Sequence, residues 1–162
     1  MPADQRLILD TTDNAILRLL QADGRMSTAE LARAISMSAS STADRVRRLT
    51  DQGVLRGYRA VVDPVALGYP LTAFVRLQMA TPAGKAFQEL LDGTAQILEA
   101  HHVTGDDCFL LKIIARSMLD LEEIAGKLAL FGRVTTNVAF RSPVSDRPLP
   151  AGATEDDLAL AG

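Results

Sequence analysis

Apolar residues recur with one period before Asp63-Pro64 and with another after it, and no single layer of regular structure accommodates both. Upstream the spacing is helical. Asp10 can cap a helix over residues 10–24 with Asp13 at its third position, and Ile16, Leu17, Leu19 and Leu20 form its apolar stripe before Gly24. Ser27 and Glu30 make a capping box that opens a short second helix through Ile35, with Leu31 and Ile35 inward. Ser38 caps a third helix, in which Val46 and Leu49 point inward and which Gly53 ends. Val54 to Val62, β-branched and aromatic, reads as a strand.

Downstream the period is two. Leu71 to Met79 alternates, with Ala73, Val75, Leu77 and Met79 on one face and Arg76 and Gln78 on the other. Thr81-Pro82 opens a helix carrying Phe87, Leu90 and Leu91 to Gly93. Ile97 to Thr104 and Phe109 to Ala115 form a hairpin around Gly105. Ser117 and Asp120 begin a helix with Leu121, Ile124 and Leu128, and Val134 to Phe140 is a last strand. Strand, helix, strand, strand, helix, strand is the ferredoxin-like order. It places both helices on one face of an antiparallel sheet and leaves the other face open, which favours pairing with a second copy. The expected class is α+β: a winged helix-turn-helix of three helices in residues 1–60, a linker over 61–70, a ferredoxin-like βαββαβ domain over 71–142 and a flexible tail over 143–162.

Charge follows the same division. Residues 1–60 hold nine arginines and no lysine against seven acids, whereas residues 61–162 hold eight bases against thirteen acids, so an anion-binding part precedes a part with another task. Aromatics are only 4%, too few for base-stacking platforms. Cys108 is the sole cysteine, which excludes an intrachain disulfide and a thiolate metal cluster. No apolar run approaches the about 20 residues of a membrane span. Asp4, Asp10 and Asp13 stand where an export leader would be basic and then apolar, so the expectation is a soluble cytoplasmic protein with no membrane partner.

Ser27 to Gly53 has the form of a helix-turn-helix, whose second helix enters the DNA major groove. With Leu31, Ile35, Val46 and Leu49 inward, Ser40, Ser41, Arg45 and Arg48 face outward behind the capping Ser38. Hydroxyls bond phosphates or bases, and arginines bond guanine edges bidentately. Arg47, Arg56 and Arg59 add phosphate contacts. An arginine-rich helix face is also simply a solvated one, and the physics alone leaves both readings open. In the second half, backbone N–H groups at Gly105 can hold a carboxylate and Asp106 or Asp107 an ammonium group, the two charges of a free amino acid. The competing reading is a solvated acidic turn. His101 and His102 are adjacent on a strand and point to opposite faces, so they do not chelate one ion, and no metal site is expected. There is no glycine-rich phosphate loop, nucleophile elbow or paired-carboxylate motif, so neither an enzyme nor a cofactor is expected.

The strings LDTTDNAILRLLQADGRMSTAELA, RVRRLTDQGVLRGYRAVVDPVALGY and HHVTGDDCFLLK resemble the Lrp/AsnC family of bacterial transcription factors, from about residue 9 to about residue 142. The resemblance implies a regulator that binds promoter DNA as a homodimer joined through its C-terminal sheets, assembles further to octamers and responds to a small effector, usually an amino acid. It also implies an effector position between dimers near Val103, Thr104, Gly105, Asp106, Asp107 and Cys108. Leu130, Phe131 and Gly132 would complete that pocket from a neighbouring subunit. Arg45, Arg47, Arg48 and Leu49 match the recognition helix. Ser36 and Ala39 depart from the glycine and proline common around the interhelix turn, Cys108 from a polar residue, and Asn137 and Ala139 from threonines of the last strand. The alternative function is a metabolite-sensing oligomeric module that regulates a protein partner without binding DNA.

Overall fold

The computed structural model describes residues 9–79, 84–105, 109–150 and 152. Its contacts divide the chain into two compact units, Val61–Pro143 forming one and the residues to Ala60 with those from Val144 forming the other.

The first unit holds α1 (Thr11–Ala22), α2 (Thr28–Ala34) and α3 (Ala39–Asp51). Each starts where a side-chain oxygen takes an orphan amide. Asp10 and Asp13 form a reciprocal capping box, as do Ser27 and Glu30, and Ser38 accepts from the Ser41 N–H. Leu9, Ile16, Leu20, Leu31 and Leu49 make the core, with Ile35, Val46, Val54 and Leu55 packed against it. Ser36, in the turn between α2 and α3, has φ +56, the left-handed conformation that glycine adopts without cost. The expected strand over Val54 to Val62 is not formed: these residues carry no strand pairing, and Tyr58, Val61 and Val62 are exposed. β propensity produces a strand only where a neighbour takes the main-chain hydrogen bonds, and none of the described residues does so there.

Of the stretch expected as a tail, Leu149 and Gly152 are bonded to α1. The Gln21 side-chain amide accepts from the Leu149 N–H at 2.7 Å and donates to its carbonyl at 3.3 Å. Asn14 does the same for Gly152, at 2.8 and 3.3 Å.

The second unit contains β1 (Leu71–Met79), α4 (Lys85–Gly93), β2 (Ile97–His102), β3 (Phe109–Ala115), α5 (Met118–Ala129) and β4 (Gly132–Val138). The strands form one antiparallel sheet in the order β2-β3-β1-β4, the βαββαβ topology. Val75 pairs with Leu111 on one side and Thr136 on the other, so alternate β1 residues share a face with alternate residues of both neighbours. That face is the core: Ala73, Val75, Leu77, Leu111, Ile113 and Ala115 lie against Phe87 of α4 and Leu121, Ile124 and Leu128 of α5. Phe87 is wedged between Phe109 and Phe131, ring centroids 4.8 and 5.3 Å away.

Three boundaries differ from expectation. Helix α4 begins at Lys85 behind Gly84, which offers no capping side chain, and Thr81 and Pro82 lie outside the described residues. Strand β2 stops at His102. Strand β4 runs from Gly132, where the backbone lies so close to Gln78 that a Cβ would overlap the Gln78 carbonyl, and ends at Val138, short of the expected Phe140. In the linker region, the Asp63 carboxylate accepts from the Val65 N–H, and Tyr69 lies under the Arg116 guanidinium, 5.2 Å from the ring centroid.

Candidate functional site

Two sets of residues were singled out, one in each unit. In the first unit α3 is fixed by the buried Thr42 and Leu49 and the partly buried Val46 between them. Thr42 is wholly buried, its hydroxyl donating to the Ser38 carbonyl at 2.9 Å, a core position that a hydrophobic pattern does not reveal. At 3.6 residues per turn the opposite side of the helix carries Ser40, Asp44 and Arg47, all exposed, with Ser41 on the flank. Ser38, Ser40 and Ser41 cluster at the start: the Ser38 hydroxyl lies 2.8 Å from that of Ser41 and 3.2 Å from that of Ser40.

The three arginines of α3 have different partners. Arg45 does not point away from the fold; its guanidinium donates to Asp10 at 2.6 Å and to Asp13 at 2.9 Å. Arg48 donates to the other Asp13 oxygen at 2.6 Å. Asp13 is 2% exposed, so the recognition-type helix is held to the start of α1 by a carboxylate buried between two guanidiniums. Burial opposes ionisation of Asp10, but the Asp13 backbone amide and the Arg45 guanidinium outweigh it and keep its carboxyl below the usual range. Hydrogen bonds to Asp10 and then Asp13 raise Arg45 further above its ordinary value. Arg47 instead projects outward, 69% exposed and 3.0 Å from Asp44. A signal for this division was present in the sequence: acids three apart at Asp10 and Asp13, arginines three apart at Arg45 and Arg48. Residues three apart on a helix share a face, so the two pairs suit each other.

Arg56 and Arg59 sit on either side of Gly57 and Tyr58 around a shallow open depression. Arg59 also lies 3.4 Å from Asp146.

In the second unit, Val103 is half-buried where β2 ends, and Thr104 and Gly105 are exposed beyond it, Gly105 with φ +105. Asp106, Asp107 and Cys108 lie outside the described residues. The strands on either side, β2 and β3, pair antiparallel. The histidines diverge. His101 is opposite Leu110 and bonds Glu99 at 3.1 Å, which also accepts from Lys112 at 3.1 Å; bonds from His101 and Lys112 hold the Glu99 carboxyl below its usual range. His102 stacks on Phe109 at 5.0 Å. Leu130 is exposed, Phe131 is taken by the aromatic core, and Gly132 is the close-approach residue of β4.

Among the described residues no helix is long and apolar enough to cross a membrane. On the sheet face away from α4 and α5, Phe74, Leu110 and Ile114 sit among Arg76, Lys112 and Arg133.

Residues 9–56 match the winged helix-turn-helix DNA-binding family, and residues 72–149 match the Lrp/AsnC ligand binding domain. The leucine-responsive regulatory protein of Rhizobium meliloti is 40% identical over 121 residues, 73% of this chain and 78% of that protein. Among solved structures, LrpC of B. subtilis superposes with a TM-score of 0.81 at 29% identity, covering 86% of this chain and 99% of that one. A feast or famine regulatory protein of M. tuberculosis, complexed with L-methionine, superposes with a TM-score of 0.79 at 30% identity, covering 86% and 97%.

Proposed function

The chain belongs to the Lrp/AsnC family and is a DNA-binding transcriptional regulator with a ligand-binding domain, and from that premise we propose how its residues divide the work. Helix α3 enters the major groove of pseudo-palindromic double-stranded DNA. The observation that carries this is the exposed Ser40, Asp44 and Arg47 stripe opposite the inward Thr42, Val46 and Leu49 stripe. Ser38, Ser40 and Ser41 bond phosphates and base edges, and Arg47 takes a guanine edge. Arg45 acts by holding α3 to α1, while Arg48, 49% exposed beside Asp13, keeps N–H groups for a phosphate. Arg56 and Arg59 add phosphate contacts.

The second unit binds an amino acid at the turn formed by Val103, Thr104, Gly105, Asp106, Asp107 and Cys108. Support comes from the left-handed φ of Gly105, a backbone conformation found in anion-binding turns, and from the relative solved with L-methionine. The open sheet face with Phe74, Leu110 and Ile114 joins two copies, and dimers associate to an octamer in which the effector lies between subunits. The protein works in the cytoplasm. Effector binding shifts the equilibrium between assemblies, and with it the spacing of the DNA-binding units.

Fluorescence anisotropy tests the reading, with labelled DNA from the protein's own upstream region against a scrambled duplex, at two salt concentrations and with a panel of amino acids led by methionine. The expected result is selective binding that weakens steeply with salt and changes with one amino acid. Selective binding unchanged by every amino acid overturns the effector assignment, and light scattering with an unchanged mass overturns the assembly step.

A further inference from the structure

We propose that Asp44 is a specificity-determining residue: its carboxylate accepts from a cytosine amino group while the neighbouring Arg47 takes a guanine edge, so that each half-site contains a G·C pair read from both sides. This rests on the reading of α3 as the groove-entering helix. Asp44 lies at the centre of the stripe opposite the core, in the half of α3 that begins with the serine cluster. Its side chain is 68% exposed, so it has no structural task that burial would impose.

An exposed carboxylate facing a polyanion is a liability. At groove distance it lies within a Debye length, about 8 Å at physiological salt, of phosphates that repel it. In the free protein Arg47 neutralises it from 3.0 Å, since Arg45 and Arg48 donate to Asp10 and Asp13; once Arg47 turns to a guanine edge, Asp44 is left facing the phosphates without that partner. Asp44 therefore weakens binding to every duplex except one that offers it a donor. A carboxylate only accepts, and of the major-groove edges the cytosine amino group suits it. The adenine amino group stands beside the N7 acceptor, which repels a carboxylate. Arg47 lies 3.0 Å from Asp44, and successive bases are about 3.4 Å apart, so the two groups address the same base pair or adjacent ones. A donor fork and an acceptor side by side complement the guanine acceptors and the cytosine donor of G·C.

The test is selection from a randomised duplex library by the full-length protein, comparing wild type with Asp44→Ala and Asp44→Asn. Unchanged thermal melts of both variants confirm the fold. Wild type is expected to select G·C at one position per half-site. Asp44→Ala should lose roughly ten-fold in discrimination at that position alone and bind random DNA more tightly. Asp44→Asn should shift the same position towards adenine, whose N6 and N7 an amide matches. Variants that select the wild-type sequence with the wild-type ratio overturn the proposal while leaving the DNA reading intact. A wild-type protein that selects no sequence overturns both.

Discussion

Asp13 serves two elements at once. Its carboxylate faces the Asp10 N–H in the capping box of α1, and it accepts from Arg45 and Arg48 of α3. Breaking a fully buried ion pair costs about 3–5 kcal/mol, and the cost here is smaller because Arg48 is 49% exposed and Arg45 keeps Asp10. Asp13→Ala should therefore lower the unfolding free energy of the first unit by about 1–2 kcal/mol through the lost cap and the lost pairs together. Arg45→Ala should cost less, because Arg48 still neutralises Asp13, and its loss of DNA affinity should track the displacement of α3. Urea unfolding and anisotropy, measured on both variants and on the exposed Arg47→Ala, separate the two kinds of residue. Arg47→Ala should keep its stability and lose DNA affinity. Acid adds a second check. Asp10 and Glu99 have native carboxyls below the ordinary range, so the stability they contribute is present above that range and is lost as pH falls through their lowered values. Unfolding midpoints should be flat from neutrality to about pH 5 and decline below about pH 4.

Elements are governed as much by backbone geometry as by side-chain pattern. Ser36 holds φ +56 in the turn before α3, a conformation that costs an L-residue about 1 kcal/mol and costs glycine little. Ser36→Gly should stabilise the first unit by up to about 1 kcal/mol, seen as a rise of a few degrees in its melting temperature. Gly132 is the opposite case. Its pairing with Met79 brings the backbone against the Gln78 carbonyl, which cannot move without breaking the β1–β4 ladder. Gly132→Ala should cost more than about 2 kcal/mol and speed amide exchange along β1 and β4, and protection equal to wild type would disprove the close approach. Strands β1 and β3 were legible to the residue because alternation and flanking turns agree there. The stretch Val54 to Val62 was not, since its composition suits a strand but no neighbour among the described residues completes it.

For the whole molecule the question is what the open sheet face meets. Phe74, Leu110 and Ile114 lie on it among charged residues, a mixture suited to an interface between copies and costly to leave in water. Phe74→Asp places a carboxylate at the middle of that surface. It should reduce the assembly to monomers in light scattering while leaving the first unit folded, and a mass equal to wild type would place the interface elsewhere.

Local signals in the chain were sufficient to determine much of this. Capping boxes at Asp10 and Ser27, the cap at Ser38, the change of hydrophobic period and the order of strands and helices are written within a few residues of where they act. They led to the two architectures and, with the matching strings, to the family. Beyond the matched spacing of the two acids and two arginines, which carboxylate each arginine of α3 bonds was decided only in three dimensions. Arg45, Arg47 and Arg48 are alike in composition and nearly so in spacing; what separates them is whether Asp10 and Asp13, more than thirty residues away, come within bonding distance. Charge pairing across helices depends on how the helices are packed, and that packing is a property of the folded core.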